Sequence, residues 1–193
     1  MQTQAHVINP FAKRIHLLLA VGILLCLLIA GCGFKMRQPI PLPFTKLYTN
    51  IPQNSAFGSR VWRALQANSP GTVITEEAAG AEAMLIQEGF NRAQREISLD
   101  AQGKVEEYEL NLVLTFTMTD SQGNELIPTS RISATRQLPY DEDDAAAKQE
   151  EMSLLYSDME KSIADRLIRR ITSPDVITTY LEHNPSPGFV PAQ

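Results

Sequence analysis

From Val105 to Thr119 apolar and polar positions alternate, with Tyr108, Leu110, Leu112, Leu114, Phe116 and Met118 on one side and Glu107, Glu109, Asn111, Thr115, Thr117 and Thr119 on the other. Period two over such a length predicts a long strand with one buried face. The turn clusters Asp100–Lys104 and Asp120–Asn124 bound it. Beyond them lie further strands: an imperfectly alternating stretch over Met84–Phe90 and Ile97–Leu99, with Gly89 marking a bulge, and Glu125–Leu138, where Pro128 argues for an edge or a bulge. A short strand is expected near Phe44–Thr49. A helix follows, capped by Asn54 or Ser55, with Phe57, Val61, Ala64 and Leu65 at helical spacing; Trp62 sits at the core margin, and Asn68–Gly71 ends the helix. The last element is a helix over Asp143–Ile171. Met152, Leu155, Tyr156, Met159, Ile163, Leu167 and Ile171 form its apolar stripe, and its acidic start and basic end complement the helix dipole. Pro174 terminates it, and 174–193 reads as a flexible tail. One-sided apolar faces on strands and helices predict an α+β two-layer sandwich: a mostly antiparallel sheet packed by two helices, the second long and C-terminal, in a single domain over 44–173.

The pattern before residue 44 is of another kind. Lys13 and Arg14 precede an apolar run, Leu17–Ile29, which is 13 residues long. A spanning helix needs roughly 20 residues, so the run suits a cleaved signal peptide over 1–31 better than a permanent anchor. Ile29-Ala30-Gly31-Cys32 resembles the lipobox of bacterial lipoproteins, with Ile29 where Leu is usual. That resemblance makes Cys32 the lipidation site and the mature N-terminus, carrying N-acyl and S-diacylglycerol chains. Each buried methylene contributes about 0.8 kcal/mol and one chain anchors only marginally, so three chains hold the protein close to permanently. Gly33 after the cysteine, in place of the Asp that retains lipoproteins in the inner membrane, implies the outer membrane. Pro39, Pro41 and Pro43 mark 32–43 as an extended tether.

Composition then narrows the chemistry. Cys26 lies in the discarded run, which leaves no cysteine for a disulfide, a thiolate metal site or a nucleophile. The mature 162 residues carry 15 basic and 22 acidic side chains, a formal charge of −7, and nothing there favours nucleic acid. Only His183 remains in the mature chain, so a Ser/His/Asp or metal site has almost no parts, and no cofactor is expected. Glu107 and Glu109 belong to an exposed polar face, and Asp141–Asp144 lacks the Gly and downstream Glu of a calcium loop. Arg131 and Arg136, with Arg92 and Arg95, are the candidate ligands for phosphates or acidic sugars if their faces converge; otherwise they balance neighbouring carboxylates.

The lipidated start Cys32-Gly33-Phe34-Lys35-Met36-Arg37, the strand entry Gly103-Lys104-Val105-Glu106-Glu107-Tyr108 and the closing Leu167-Ile168-Arg169-Arg170-Ile171 together resemble the LptE family of outer-membrane lipopolysaccharide-assembly lipoproteins, also called rare lipoprotein B. The resemblance runs from Cys32 to about Pro174. It implies a sheet packed by two helices, no enzymatic activity, and a plug seated in the LptD β-barrel that helps move lipopolysaccharide to the outer leaflet. Some family members bind lipopolysaccharide through basic residues; the turn at Ala101-Gln102 offers none before Gly103. Two other classes stay open: an auxiliary lipoprotein of a lipid or solute ABC export system, and a small lipid-anchored hydrolase, which the shortage of histidine and cysteine disfavours.

Overall fold

The structure, a computed structural model, describes residues 41–185. The signal peptide, Cys32 and most of the tether lie outside them. In chain order the elements are β1 (Lys46–Thr49), α1 (Ala56–Asn68), β2 (Val73–Thr75), β3 (Ala83–Leu99), β4 (Val105–Asp120), β5 (Glu125–Pro139), a 3-10 turn at Glu142–Asp144, α2 (Ala145–Ile171) and α3 (Pro174–His183). The five strands form one sheet in the order β2-β1-β3-β4-β5. β1 runs parallel to both its neighbours, whereas β3, β4 and β5 are antiparallel, so the sheet is mixed at one end.

The alternation of β4 is realised as read: Leu110, Leu112, Leu114, Phe116 and Met118 are fully buried beneath the helices, in one cluster with Leu47, Leu85, Ile163 and Leu167. Each hairpin turn repeats the same local chemistry. In Asp100-Ala101-Gln102-Gly103-Lys104 and Asp120-Ser121-Gln122-Gly123-Asn124 the leading carboxylate accepts from two backbone N–H groups of its own turn, and the glycine takes the positive φ (83° and 87°) that an L side chain resists. Ser55 caps α1 by accepting from the Gly58 N–H at 2.9 Å. Trp62 is buried and donates its indole N–H to the Ile51 carbonyl at 3.0 Å, fixing the chain between β1 and the helix.

Three expectations need correction. The segment after Pro174 is no flexible tail through His183: Ser173 stands at the N-cap position and Pro174 at the first turn, so the proline starts α3 as well as ending α2. Val176, Ile177 and Tyr180 are buried, and Tyr180 meets Phe44 edge-on at 5.3 Å. Three helices, not two, therefore pack the sheet. At the other end, Leu42 is already buried in the core, so the domain's packing begins before residue 44. Finally, β2 was not anticipated; at three residues with Val73 exposed it has no hydrophobic pattern to read.

Candidate functional site

Helices cover one face of the sheet and leave the other open. On the open face, cross-strand neighbours link into a polar chain over three strands. Arg95 of β3 donates to Glu109 of β4 at 2.9 Å, Asn111 donates to the same carboxylate oxygen at 2.9 Å, and Thr135 of β5 donates to the Asn111 side-chain oxygen at 2.7 Å. Further along the face Thr129 donates to Glu88 at 3.0 Å, a residue that the β3 bulge between Gln87 and Gly89 leaves without a strand partner. The hydrogen bond from Asn111, with the Arg95 charge beside it, holds the Glu109 carboxyl below its ordinary range despite partial burial. Around this chain lie Thr115, Thr117 and Thr119, together with the partly buried Tyr48, Met84, Ile86 and Val113. Short hydroxyl and amide side chains make this a flat surface with many hydrogen-bonding groups and little net charge.

The four candidate arginines do not converge. Register places Arg92 opposite Leu112 and Arg136 opposite Leu110, on the helix-covered face; Arg95 opposes Glu109 and Arg131 opposes Thr115, on the open face. On the open face the two are separated by six β4 residues, about 20 Å at roughly 3.3 Å per residue. Three of the four are ion-paired. Arg92 meets Glu160, which is only 3% exposed, and its guanidinium stands 4.9 Å over the Tyr156 ring. Arg136 meets Asp158 at 2.9 Å and Arg95 meets Glu109. Glu160 and Asp158 lie two residues apart on α2 and point to opposite sides of it, so Arg92 and Arg136 tie the long helix to both outer strands of the β3-β4-β5 sheet. Arg131 is exposed and has no charge or hydrogen-bond partner among the described residues.

The sequence pattern places Tyr156 in the apolar stripe but does not show that it and Glu160 together hold Arg92. The signal for Glu160 was present: a carboxylate beside Met159 within the apolar stripe of α2. Among the described residues no group of three or more His, Cys, Asp or Glu is placed to hold a metal, and no helix is long and apolar enough to cross a membrane. His183 turns its Nδ1 to the Thr179 carbonyl at 2.8 Å, within its own helix.

The fold has counterparts in known proteins. The family model described as LptE, lipopolysaccharide-assembly, matches residues 44–171. Among solved structures, an uncharacterized lipoprotein B from Nitrosomonas europaea is 29% identical with a TM-score of 0.62, covering 79% of this chain and 97% of that one. The rare lipoprotein B from Shewanella oneidensis is 25% identical with a TM-score of 0.58, covering 70% and 98%. A minor lipoprotein from Acinetobacter baumannii, 22% identical with a TM-score of 0.55, covers 68% and 93% and shares the fold. No curated protein matches the chain. With the family model spanning most of its length and a fold shared with its relatives, the chain belongs to the LptE family of lipopolysaccharide-assembly proteins.

Proposed function

We propose that this chain is an outer-membrane lipoprotein, anchored through acyl chains on Cys32, that plugs and stabilises an LptD-type β-barrel and helps deliver lipopolysaccharide to the outer leaflet. The role is one of binding and assembly rather than catalysis. The observation that carries it is the open sheet face: polar, cross-linked from Arg95 to Thr135 by side-chain hydrogen bonds, and left uncovered by the domain's own helices. A wet barrel lumen can accept such a face, because water and the polar lining satisfy the groups that an apolar partner would strand. The 16-residue β4 is about 50 Å long at roughly 3.3 Å per residue, enough to run the height of a barrel wall, whose apolar band is about 25 Å tall.

Contact with lipopolysaccharide is carried forward on Arg131, whose guanidinium is free to take a phosphate; Arg92, Arg95 and Arg136 already have carboxylate partners. The test is mild-detergent affinity purification of the tagged, lipidated protein from outer membranes, followed by mass spectrometry. A near-equimolar large β-barrel supports the reading. Recovery of the protein alone, or with inner-membrane transporter subunits, overturns it and favours the export-system alternative.

A further inference from the structure

α2 packs along β5, the outermost strand at one end of the sheet. Between them lies a pocket of about 290 Å³, lined by Arg136 of β5 and by Asp158, Lys161, Ser162, Asp165 and Arg169 of α2. The helix residues recur at three- and four-residue steps from Asp158, which sets them in one stripe beside the strand. No apolar residue lines the pocket.

Three cations and two carboxylates share this small space. Only Arg136 and Asp158 are ion-paired, at 2.9 Å, with side chains 40% and 60% exposed. A pair so open to water contributes little and separates readily. Arg136 also donates from Nη1 to the Thr135 carbonyl at 3.0 Å, which leaves its Nε–H and a second hydrogen on each terminal nitrogen for a ligand. Lys161, Asp165, Arg169 and the Ser162 hydroxyl make no ion pair or hydrogen bond among the described residues. Asp165 stands one helical turn from Lys161 and one from Arg169, the spacing at which opposite charges ordinarily pair along a helix. Here the side chains stay apart and line the pocket instead.

Sites that bury a drug-sized molecule enclose about 300–1,000 Å³ and are lined mainly by apolar side chains. This pocket is at the small end and offers nothing to an acyl chain or an aromatic ring, so it suits a small polar group. A bare phosphate would meet Arg136 and Lys161, but it would also lie beside the unpaired Asp165 carboxylate, and like charges that close repel. A phosphate with an amine next to it satisfies both signs. We propose that the pocket takes a phosphoethanolamine-type group, its phosphate held between Arg136 and Lys161 and its ammonium on Asp165. The Ser162 hydroxyl supplies one more donor to the phosphate. The inference needs no barrel partner and goes beyond the assembly role. A membrane lipid with this headgroup and a free soluble phosphate-amine carry the same chemistry.

The experiment titrates the full-length lipidated chain, in nonionic detergent, with glycerophosphoethanolamine and with glycerol phosphate, following the phosphorus signal of each probe by NMR. The wild-type chain should bind the amine-bearing probe about tenfold more tightly, and Lys161→Gln should weaken both probes about five- to tenfold. Asp165→Asn separates the proposal from a plain basic patch. It should weaken glycerophosphoethanolamine about tenfold while glycerol phosphate binds as well as before or better, because a repelling carboxylate has gone. Lys161 and Asp165 are exposed, so neither change touches the core. Tighter binding of both probes by Asp165→Asn overturns the inference, as does a wild-type chain that binds neither probe or does not distinguish them. Phosphatidylethanolamine added to the same micelles tells the two sources apart. Binding stronger than that of the soluble probe supports the assignment with a membrane lipid as ligand, and equal or weaker binding supports it with a free phosphate-amine.

Discussion

The side-chain amide of Asn184, one residue past α3, donates to the Asp120 carboxylate at 3.0 Å and fastens the end of the last helix to the turn between β4 and β5. Asp120 is fully buried and accepts three further hydrogen bonds, from the N–H of Gln122 and from the N–H and side-chain amide of Asn124. Burial alone pushes its carboxyl up, but the amides of Asn124 and Asn184 and the turn N–H groups together hold it below the ordinary range. A carboxyl lowered on folding stabilises the protein above its unfolded value, about 3.9, and that contribution is lost as pH falls through the lower folded value. Thermal melts below about pH 5 should therefore show a slope that flattens in Asp120→Asn. Asp120→Ala should cost about 2–3 kcal/mol at neutral pH, in keeping with lost hydrogen bonds to a charged group.

Tyr180→Ala should destabilise the domain by about 3–4 kcal/mol, the range for removing a buried aromatic ring. The ring is 5% exposed and packs on Phe44 where the chain enters the sheet. Chain ends that look dispensable tolerate such changes, so an unchanged denaturation midpoint would show that α3 does not belong to the core.

That helix marks where sequence patterns stop being informative. A proline after a long helix reads equally as a stop and as a start, and only the apolar residues at 176, 177 and 180 favour the second. Period two identified β4 because one of its faces is wholly buried; β2 is too short to show any period. The parity of the arginines was legible and went unused. Arg92 and Arg95 are three apart and Arg131 and Arg136 five apart, so each pair must split between faces unless a bulge intervenes, and the Gly89 bulge lies before both members of the first pair. What sequence could not give is the partner of each charge, because Glu160 and Asp158 come from a helix and lie 68 and 22 residues downstream of Arg92 and Arg136.

Those two ties should differ in strength. Glu160→Ala leaves Arg92 without a buried carboxylate and should cost about 1–3 kcal/mol, less than a fully buried pair because Arg92 is half exposed. Asp158→Ala breaks a pair exposed on both sides and should cost no more than about 0.5 kcal/mol. Urea midpoints of the two variants, measured side by side, check the contrast.

Gly58 in the first turn of α1 is needed for space, not for an unusual backbone angle. A Cβ there would stand 1.9 Å from the Pro52 carbonyl oxygen and 2.7 Å from the Ser55 hydroxyl. The first of these is backbone, held by hydrogen bonds from the Ser55 N–H and hydroxyl, and cannot step aside cheaply. Gly58→Ala should lower stability by about 1–3 kcal/mol despite alanine's higher helix propensity. A gain in melting temperature would sink this account of the turn.

The open sheet face yields the most direct functional prediction. Ser133 is exposed on β5, opposite Val113, and its side chain points to the same face as Arg131 and Thr135. Tryptophan is a favourable strand residue, so Ser133→Trp should leave stability within about 0.5 kcal/mol while adding a bulky ring to a flat surface. If that face lies against the barrel lining, barrel recovery in affinity purification should fall about tenfold, and Leu154→Arg on the far side of α2 should leave it unchanged. Arg131→Ala separates the remaining roles. It removes an unpartnered charge without touching the fold, so it should retain the barrel and lower lipopolysaccharide crosslinking at this face. Equal barrel recovery from Ser133→Trp and Leu154→Arg would mean that the domain meets its partner through another surface.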